Sequence, residues 1–245
     1  MRIYVLGEVA VETDGRLVRE RDLPGRQART VLAMLAVEVR HGATTEALAD
    51  ELWPERLPSS WETALRAIVS KLRRSVGPGA RIDGATGSYR LCLPPAAWVD
   101  VDAAREALHD AETRLASADP SGAAASALVA SLLARRPFLP GSYGPWTLRQ
   151  RDRVSELRLR ADECRAEALA ATGDFVRSAQ AAEQALALDP FRETLHRRLI
   201  RSHALAGDRA AAARAFLRCR DLLARELGID PMPATVAAYR AAIAR

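Results

Sequence analysis

Residues Ser59 to Arg74 read SSWETALRAIVSKLRR, and the way this stretch folds decides the rest. Leu65, Ile68, Val69, Leu72 and, just beyond, Val76 recur at the three-and-four spacing of a helix that buries one stripe. Ser59 or Ser60 is placed to cap its start, and Gly77 with Pro78 stops it. Thr63, Arg66, Ala67, Ser70, Lys71, Arg73 and Arg74 lie off the stripe. This outer face sets four cations against one acid, Glu62. A charged outer face is ordinarily just a solvated one. Here the residues beside Arg66 are small, a hairpin follows at once, and two short helices precede it. That order is helix-turn-helix with a wing.

Working back from the stretch, Glu46 to Trp53 read as a short helix that Thr44 or Thr45 can cap, with Leu48, Ala49, Leu52 and Trp53 inward. Gly25 to Arg40 read as a longer one, striped by Val31, Leu32, Leu35, Ala36 and Val39. Before it, Ile3, Val5, Val9 and Val11 alternate as in strands broken at Gly7, and a TDG turn leads to a short return strand, RLVR. Working forward, Arg81 to Leu93 read as a hairpin with a Gly-rich turn. The unit is a small antiparallel sheet, three helices and a terminal hairpin. Pro94-Pro95 marks its end.

Beyond the prolines the chain reads as almost wholly helical, with helices near 101–117, 121–135, 147–172, 175–188, 191–206, 209–227 and 233–244 and one longer loop from Arg135 to Pro145. A repeat lies inside it. Gly173-Asp174 and Gly207-Asp208 are 34 residues apart, as are Ala179 and Ala213. Asp189-Pro190 and Asp230-Pro231 close the two units at a longer interval. A 34-residue helix pair is the tetratricopeptide period. The expected fold is mixed but mainly α: a winged helix-turn-helix over residues 1–94, then an all-α tetratricopeptide-like domain over 98–245.

Composition bounds the function. Of 245 residues, 36 are Lys or Arg and 31 Asp or Glu, a formal net charge of +5. That is compatible with nucleic acid and does not imply it. Lys71 is the sole lysine, an arginine bias that a GC-rich genome would produce by itself. Cys92, Cys164 and Cys219 are odd in number and lack metal spacing, so neither a disulfide framework nor a zinc site is expected. No signal-peptide pattern or membrane-length apolar run is present, and a cytoplasmic, nucleoid-associated protein is expected. No phosphate-cradling glycine motif and no Cys or His cluster marks an enzyme; His41, His109, His196 and His203 are scattered, although the last pair shares a helix face. No catalytic residue, cofactor or metal is expected.

Duplex DNA is the partner whose chemistry this helix suits. A major groove admits one helix, and Arg66 and Thr63 in its N-terminal half could reach base edges, with Ala67 and Ser70 small enough to permit close approach. Lys71, Arg73 and Arg74 would hold phosphates, which positions a helix but reads nothing. In the hairpin Arg90, with Arg81, would contact backbone or groove. Tyr89 either stacks on a base or sugar or packs the hairpin. The competing reading is a scaffold whose winged helix meets protein, or a repressor built on the same winged helix.

The segments VLGEVAVE, LPGRQARTVLAMLA, LADELWPE, TALRAIVSKLRRSVG, ATGSYRL and ARELGIDPMPATVAAYRAAI stand in an order that resembles the Streptomyces antibiotic regulatory proteins along nearly the whole chain. The resemblance implies an OmpR-type winged helix followed by a bacterial transcriptional activation domain. It implies an activator of secondary-metabolite gene clusters that binds promoter direct repeats as a side-by-side homodimer and recruits RNA polymerase with its sigma factor. It puts the recognition helix on Ser60–Val76, with Thr63, Arg66, Ser70 and Arg73 facing DNA, and the wing on Arg81–Leu93, with Ser88 in it. The family phrase PKQR becomes Pro24-Gly25-Arg26-Gln27, which leaves Arg26 and Arg29 as phosphate contacts. Trp61-Glu62 replaces small and polar residues of the family pattern, and the absence of an ATPase module implies a small form.

Overall fold

The computed structural model describes residues 1–77 and 79–244; Pro78, expected to end the third helix, and Arg245 lie outside them. The chain forms two compact units that interleave in sequence. The first is Met1–Ala104 with Leu133–Val154, the second Arg105–Leu132 with Ser155–Arg245.

In the first unit β1 (Arg2–Tyr4), β2 (Ala10–Thr13) and β3 (Arg16–Val18) make the expected antiparallel meander. A short 3-10 turn at Glu20–Asp22 leads to α1 (Gly25–Val37). This helix ends three residues before Arg40 because the chain must turn back at Gly42. There φ is +73°, and a Cβ would stand 2.6 Å from the Tyr89 carbonyl oxygen, so only glycine fits. The turn delivers β4 (Ala43–Thr44), which sequence periodicity did not mark. Next comes α2 (Thr45–Leu52), whose cap is Thr44 accepting from the Ala47 N–H at 3.1 Å. Helix α3 (Trp61–Ser75) follows, then β5 (Arg81–Ala85) and β6 (Ser88–Cys92), which form a three-stranded sheet in the order β4-β6-β5. Ser60 occupies the N-cap position of α3 but makes no side-chain capping bond. Strand β5 runs further than expected, through Gly84, because Tyr89 on β6 lies half-buried against that glycine.

Past Pro94-Pro95 the chain stays in the first unit. Strand β7 (Trp98–Val99) adds in parallel to β1, giving a four-stranded sheet in the order β3-β2-β1-β7. Asp100 opens α4 (Asp100–Ala116), and its buried carboxylate accepts from the Val5 and Leu6 N–H groups at 3.0 and 2.9 Å. The loop between α5 (Pro120–Ala134) and α6 (Pro145–Ala171) is part of the same core. Phe138 and Leu139 are fully buried, Phe138 packs edge-on to Trp146, and Leu139 donates its N–H to the Val5 carbonyl at 3.1 Å. Glu51 is buried as well and accepts from the N–H groups of Trp146 (2.8 Å) and Thr147 (3.3 Å), which satisfies buried donors at the start of α6 that have no partner within the helix. Arg151 donates to the carbonyls of Phe138, Leu139 and Ser142. The interior is built from Ile3, Val11, Leu32, Leu35, Leu48, Leu65, Val69, Leu72 and Leu91.

The second unit stacks α7 (Phe175–Leu186), α8 (Glu193–Leu205), α9 (Arg209–Leu227) and α10 (Pro233–Ile243) beside the rest of α4 to α6. All seven helices read from the sequence form within about two residues of the expected ends. The 34-residue repeat is a repeat of hydrogen bonds. Asp174 N–H donates to the Leu169 carbonyl and Asp208 N–H to that of His203, each at 2.9 Å. Each aspartate then caps the next helix, accepting from Arg177 N–H (3.1 Å) and Ala211 N–H (2.7 Å). Gly173 and Gly207 precede them at φ of +80° and +85°. The Asp-Pro closures drift apart because α9 has 19 residues against 12 in α7. The core is rich in alanine: Ala166, Ala179, Ala182, Ala212 and Ala215 sit with Leu199 and Ile200. Such side chains let helix axes approach closely. His196 is buried there, with Nε2 against the Pro190 carbonyl at 2.9 Å, and burial pushes its pKa down; it is a packing residue. No described helix is long and apolar enough to cross a membrane.

Candidate nucleic-acid interface

Helix α3 presents the outer face expected of it. Leu65, Val69 and Leu72 are buried, Ile68 is half-buried, and Thr63, Arg66, Ala67, Ser70, Lys71, Arg73 and Arg74 are all exposed. The separation follows from the period: a helix turning every 3.6 residues cannot bury 65, 69 and 72 without turning 66, 70 and 74 outward. The ends of the helix suit its charges. Glu62 lies in the first turn, where backbone N–H groups leave partial positive charge, and Arg73 and Arg74 lie in the last.

The cations on this face are not equivalent. Arg66 Nη2 donates to Glu62 Oε2 at 3.3 Å, one turn away. Arg73 Nε donates to the Ile82 carbonyl at 2.9 Å, and the far end of its guanidinium lies over Gly84. It is exposed yet committed, bracing the hairpin against the helix. Lys71 and Arg74 form no ion pair among the described residues, and neither does Arg90, which stands exposed on β6. Arg81 is exposed and pairs with Asp83 at 2.7 Å. Ser88 is half-buried at the start of β6.

Of the two arginines expected before the recognition helix, Arg26 is exposed and makes one long contact with the Gly141 carbonyl, 3.4 Å. Arg29 is a correction. Its side chain is only 10% exposed, it is ion-paired with Glu20, and Nη2 donates to the Pro140 carbonyl at 3.1 Å. Burial also pulls its pKa down. Arg29 sits within a run, Ala28 to Ala36, every residue of which is buried, so it is spent inside the fold and cannot reach a phosphate. The sequence reading missed three groups that hold the first unit together: the carboxylates of Asp100 and Glu51, and the Arg151 guanidinium. A local signal among the site's contacts was Glu62 four residues before Arg66, the spacing at which opposite charges on a helix meet.

Among the described residues no three or more His, Cys, Asp or Glu side chains are grouped to hold a metal ion. Exposed helix, brace and hairpin make the first unit a winged helix-turn-helix, and the second is a stack of tetratricopeptide-like helix pairs.

Residues 99–242 match the family described as the bacterial transcriptional activator domain. Regulatory protein AfsR of Streptomyces coelicolor is 30% identical over 233 residues, covering 95% of this chain and 23% of AfsR. Transcriptional regulatory protein EmbR of Mycobacterium tuberculosis is 33% identical over 223 residues, covering 84% of this chain and 54% of EmbR. The solved structure of Mycobacterium tuberculosis EmbR in complex with a low affinity phosphopeptide superposes with a TM-score of 0.86 at 24% identity, over 99% of this chain and 65% of that one. The chain therefore belongs to the bacterial transcriptional activator domain family, in the arrangement of the Streptomyces antibiotic regulatory proteins, where a winged helix precedes that domain. It spans about a quarter of the length of AfsR and about half that of EmbR.

Proposed function

We propose that this protein is a sequence-specific DNA-binding regulator that activates secondary-metabolite genes. Helix α3 enters the major groove. Arg66 and Thr63 meet base edges, Ala67 and Ser70 allow the approach, and Lys71 and Arg74 hold phosphates. Arg73 sets the angle of the wing, whose Arg90, with Arg81 and Ser88, lies along the adjacent backbone; Arg26 adds a phosphate contact from the start of α1. Two copies bind side by side on a direct repeat in a promoter. The helix stack supplies the surface that recruits RNA polymerase and its sigma factor, a role suited to stacked helix pairs, which offer extended faces to other proteins.

The single observation behind this reading is the outer face of α3: seven exposed residues, four of them cations, backed by a fully buried Leu65-Val69-Leu72 stripe. A winged helix that meets protein would not need that charge. Gel-shift titrations with duplexes recovered from a randomised library test it. Affinity should fall steeply with salt, since each neutralised phosphate releases counterions. Arg66→Ala should erase preference at one base pair, a loss of ~1–3 kcal/mol of discrimination. Equal loss on every duplex would remove Arg66 as a reader, and salt-independent binding would remove the DNA reading altogether.

A further inference from the structure

We propose that Glu62 is a specificity-determining residue: it holds the Arg66 guanidinium for base edges and penalises every duplex that does not satisfy the pair. This deepens the DNA-binding reading and rests on it.

The contact is local and selective. Glu62 Oε2 accepts from Arg66 Nη2 at 3.3 Å, with the two side chains 62% and 70% exposed. Lys71 and Arg74 have no acid partner among the described residues, and Arg73 is tied to the wing carbonyl. The acid thus singles out the arginine in the N-terminal half of α3, the half of a recognition helix that meets base edges. In water such a pair adds little to stability, because solvent screens it and two long side chains must be ordered to form it. A carboxylate in the first turn is also welcome to the helix end. That explains an acid at this position but not its engagement of Arg66.

The pair acquires consequence inside a groove. Phosphates on both sides place the carboxylate in a negative field, and water that would screen it is displaced. The cost is the same for any sequence. It is offset only where both partners find complements. Arg66 uses one of its five N–H donors on Glu62, and the rest of the fork can still take the O6 and N7 acceptors of guanine. The second oxygen of Glu62 accepts from the N4 amino group of a cytosine on the neighbouring base pair. On other sequences Arg66 cannot swing to the nearest phosphate without abandoning Glu62 among like charges. Discrimination therefore comes from raising the free energy of wrong complexes as well as from lowering that of right ones.

The test uses the full chain. A preferred duplex is selected with the native protein from a randomised library about 20 base pairs long, two helical turns. Affinities of the native protein, Glu62→Gln and Glu62→Ala are then measured on that duplex and on random-sequence duplex across a salt series. Glu55→Gln, which removes an exposed acid outside α3, controls for net charge. Both Glu62 variants should bind random duplex several-fold tighter, with a salt slope steeper by about one phosphate contact. Their selectivity ratio should fall ~10-fold, the order of one base contact. Reselection with Glu62→Gln should relax one or two adjacent positions, and Glu55→Gln should keep the ratio. An unchanged ratio in the Glu62 variants, or an equal fall in Glu55→Gln, overturns the proposal while DNA binding stands. If the native protein selects no preferred duplex, the sequence-specific reading fails and this inference fails with it.

Discussion

Helices α3 and α8 are both rich in arginine, and they use it in opposite ways. On α8, Arg198 reaches Glu167 on α6 at 3.0 Å and Arg197 reaches Thr235 on α10 at 3.3 Å; just before it, Arg192 meets Glu163 at 3.1 Å. The same habit runs through the helical unit, where Arg160 pairs with Glu112 and Arg218 with Glu183 across neighbouring helices. On α3, among the described residues, no neighbouring helix supplies an acid. Arg66 pairs within its own helix, Arg73 holds a carbonyl, and Lys71 and Arg74 are left to solvent. At Arg197 and Arg198 of α8 positive charge is structural; at Lys71 and Arg74 of α3 it is available. The interiors differ in parallel. The first unit fills its core with large side chains drawn from distant parts of the chain, and the second brings helices together over alanine.

The largest effect should come from emptying the first core. Phe138→Ala removes a fully buried ring that stands against Trp146. The expected cost is ~3–5 kcal/mol, the lost burial of the ring plus the cavity it leaves beside Trp146. Urea unfolding measures it. A loss under 1 kcal/mol would mean that the loop is an ornament on the winged helix and not part of it. Cutting the chain at Pro94-Pro95 carries the same hazard, since it discards Asp100, Phe138, Leu139 and the α6 N-terminus that Glu51 holds.

Next in size is a pH effect confined to the first unit. Burial pushes the Asp100 carboxyl up to about 6, with the Leu6 and Val5 N–H groups and Arg136 pulling the other way. A folded pKa above the unfolded value means that stability from this group is fully present below about pH 4. It is lost as pH rises through about 6. A rise of about two units corresponds to ~3 kcal/mol. Unfolding midpoints taken between pH 4 and 7 should carry this slope in the native protein and lack it in Asp100→Asn, whatever the variant's absolute stability. An identical slope in both would place the charged form of Asp100 at ease in its pocket.

The helical core should fear bulk where the first fears holes. Ala182→Leu forces three extra carbons between α7 and its neighbours at a position with no exposure. Overpacking of that kind costs ~1–3 kcal/mol. A neutral result in thermal unfolding would reveal slack in the stack and weaken the contrast between the two interiors.

What could be read from the chain follows from these differences. Helix α3 was legible because 65, 69 and 72 against 66, 70 and 74 is a local pattern. The 34-residue helix pair was legible because Gly-Asp recurs with its hydrogen bonds. Strand β7 was not, being two residues long, and neither was the partnership of Asp100 with Val5 or of Glu51 with Trp146, since contacts that far apart in sequence leave no period. Arg29 misled for a physical reason: an arginine looks like surface unless one asks whether its neighbours, Ala28 and Thr30 to Ala36, leave it any. Glu62 and Arg66 stand four apart in plain view, but counting Glu62 only as one acid against four cations hides its pairing with Arg66.

The smallest expected change in stability carries the sharpest test of the opening contrast. Arg74→Ala and Arg198→Ala each remove one positive charge and one long side chain. Arg198 bridges to Glu167 and is mostly covered, so its loss should cost a measurable fraction of the ~0–1 kcal/mol typical of surface pairs. It should leave DNA affinity and salt slope as they were, because its field is already neutralised. Arg74 should behave the other way: no detectable change in melting, a uniform loss of affinity across sequences, and a salt slope shallower by about one phosphate. If the two variants weaken DNA binding alike, net charge alone governs the interaction. The unpaired cations of α3 would then be no more a binding surface than the paired ones of α8.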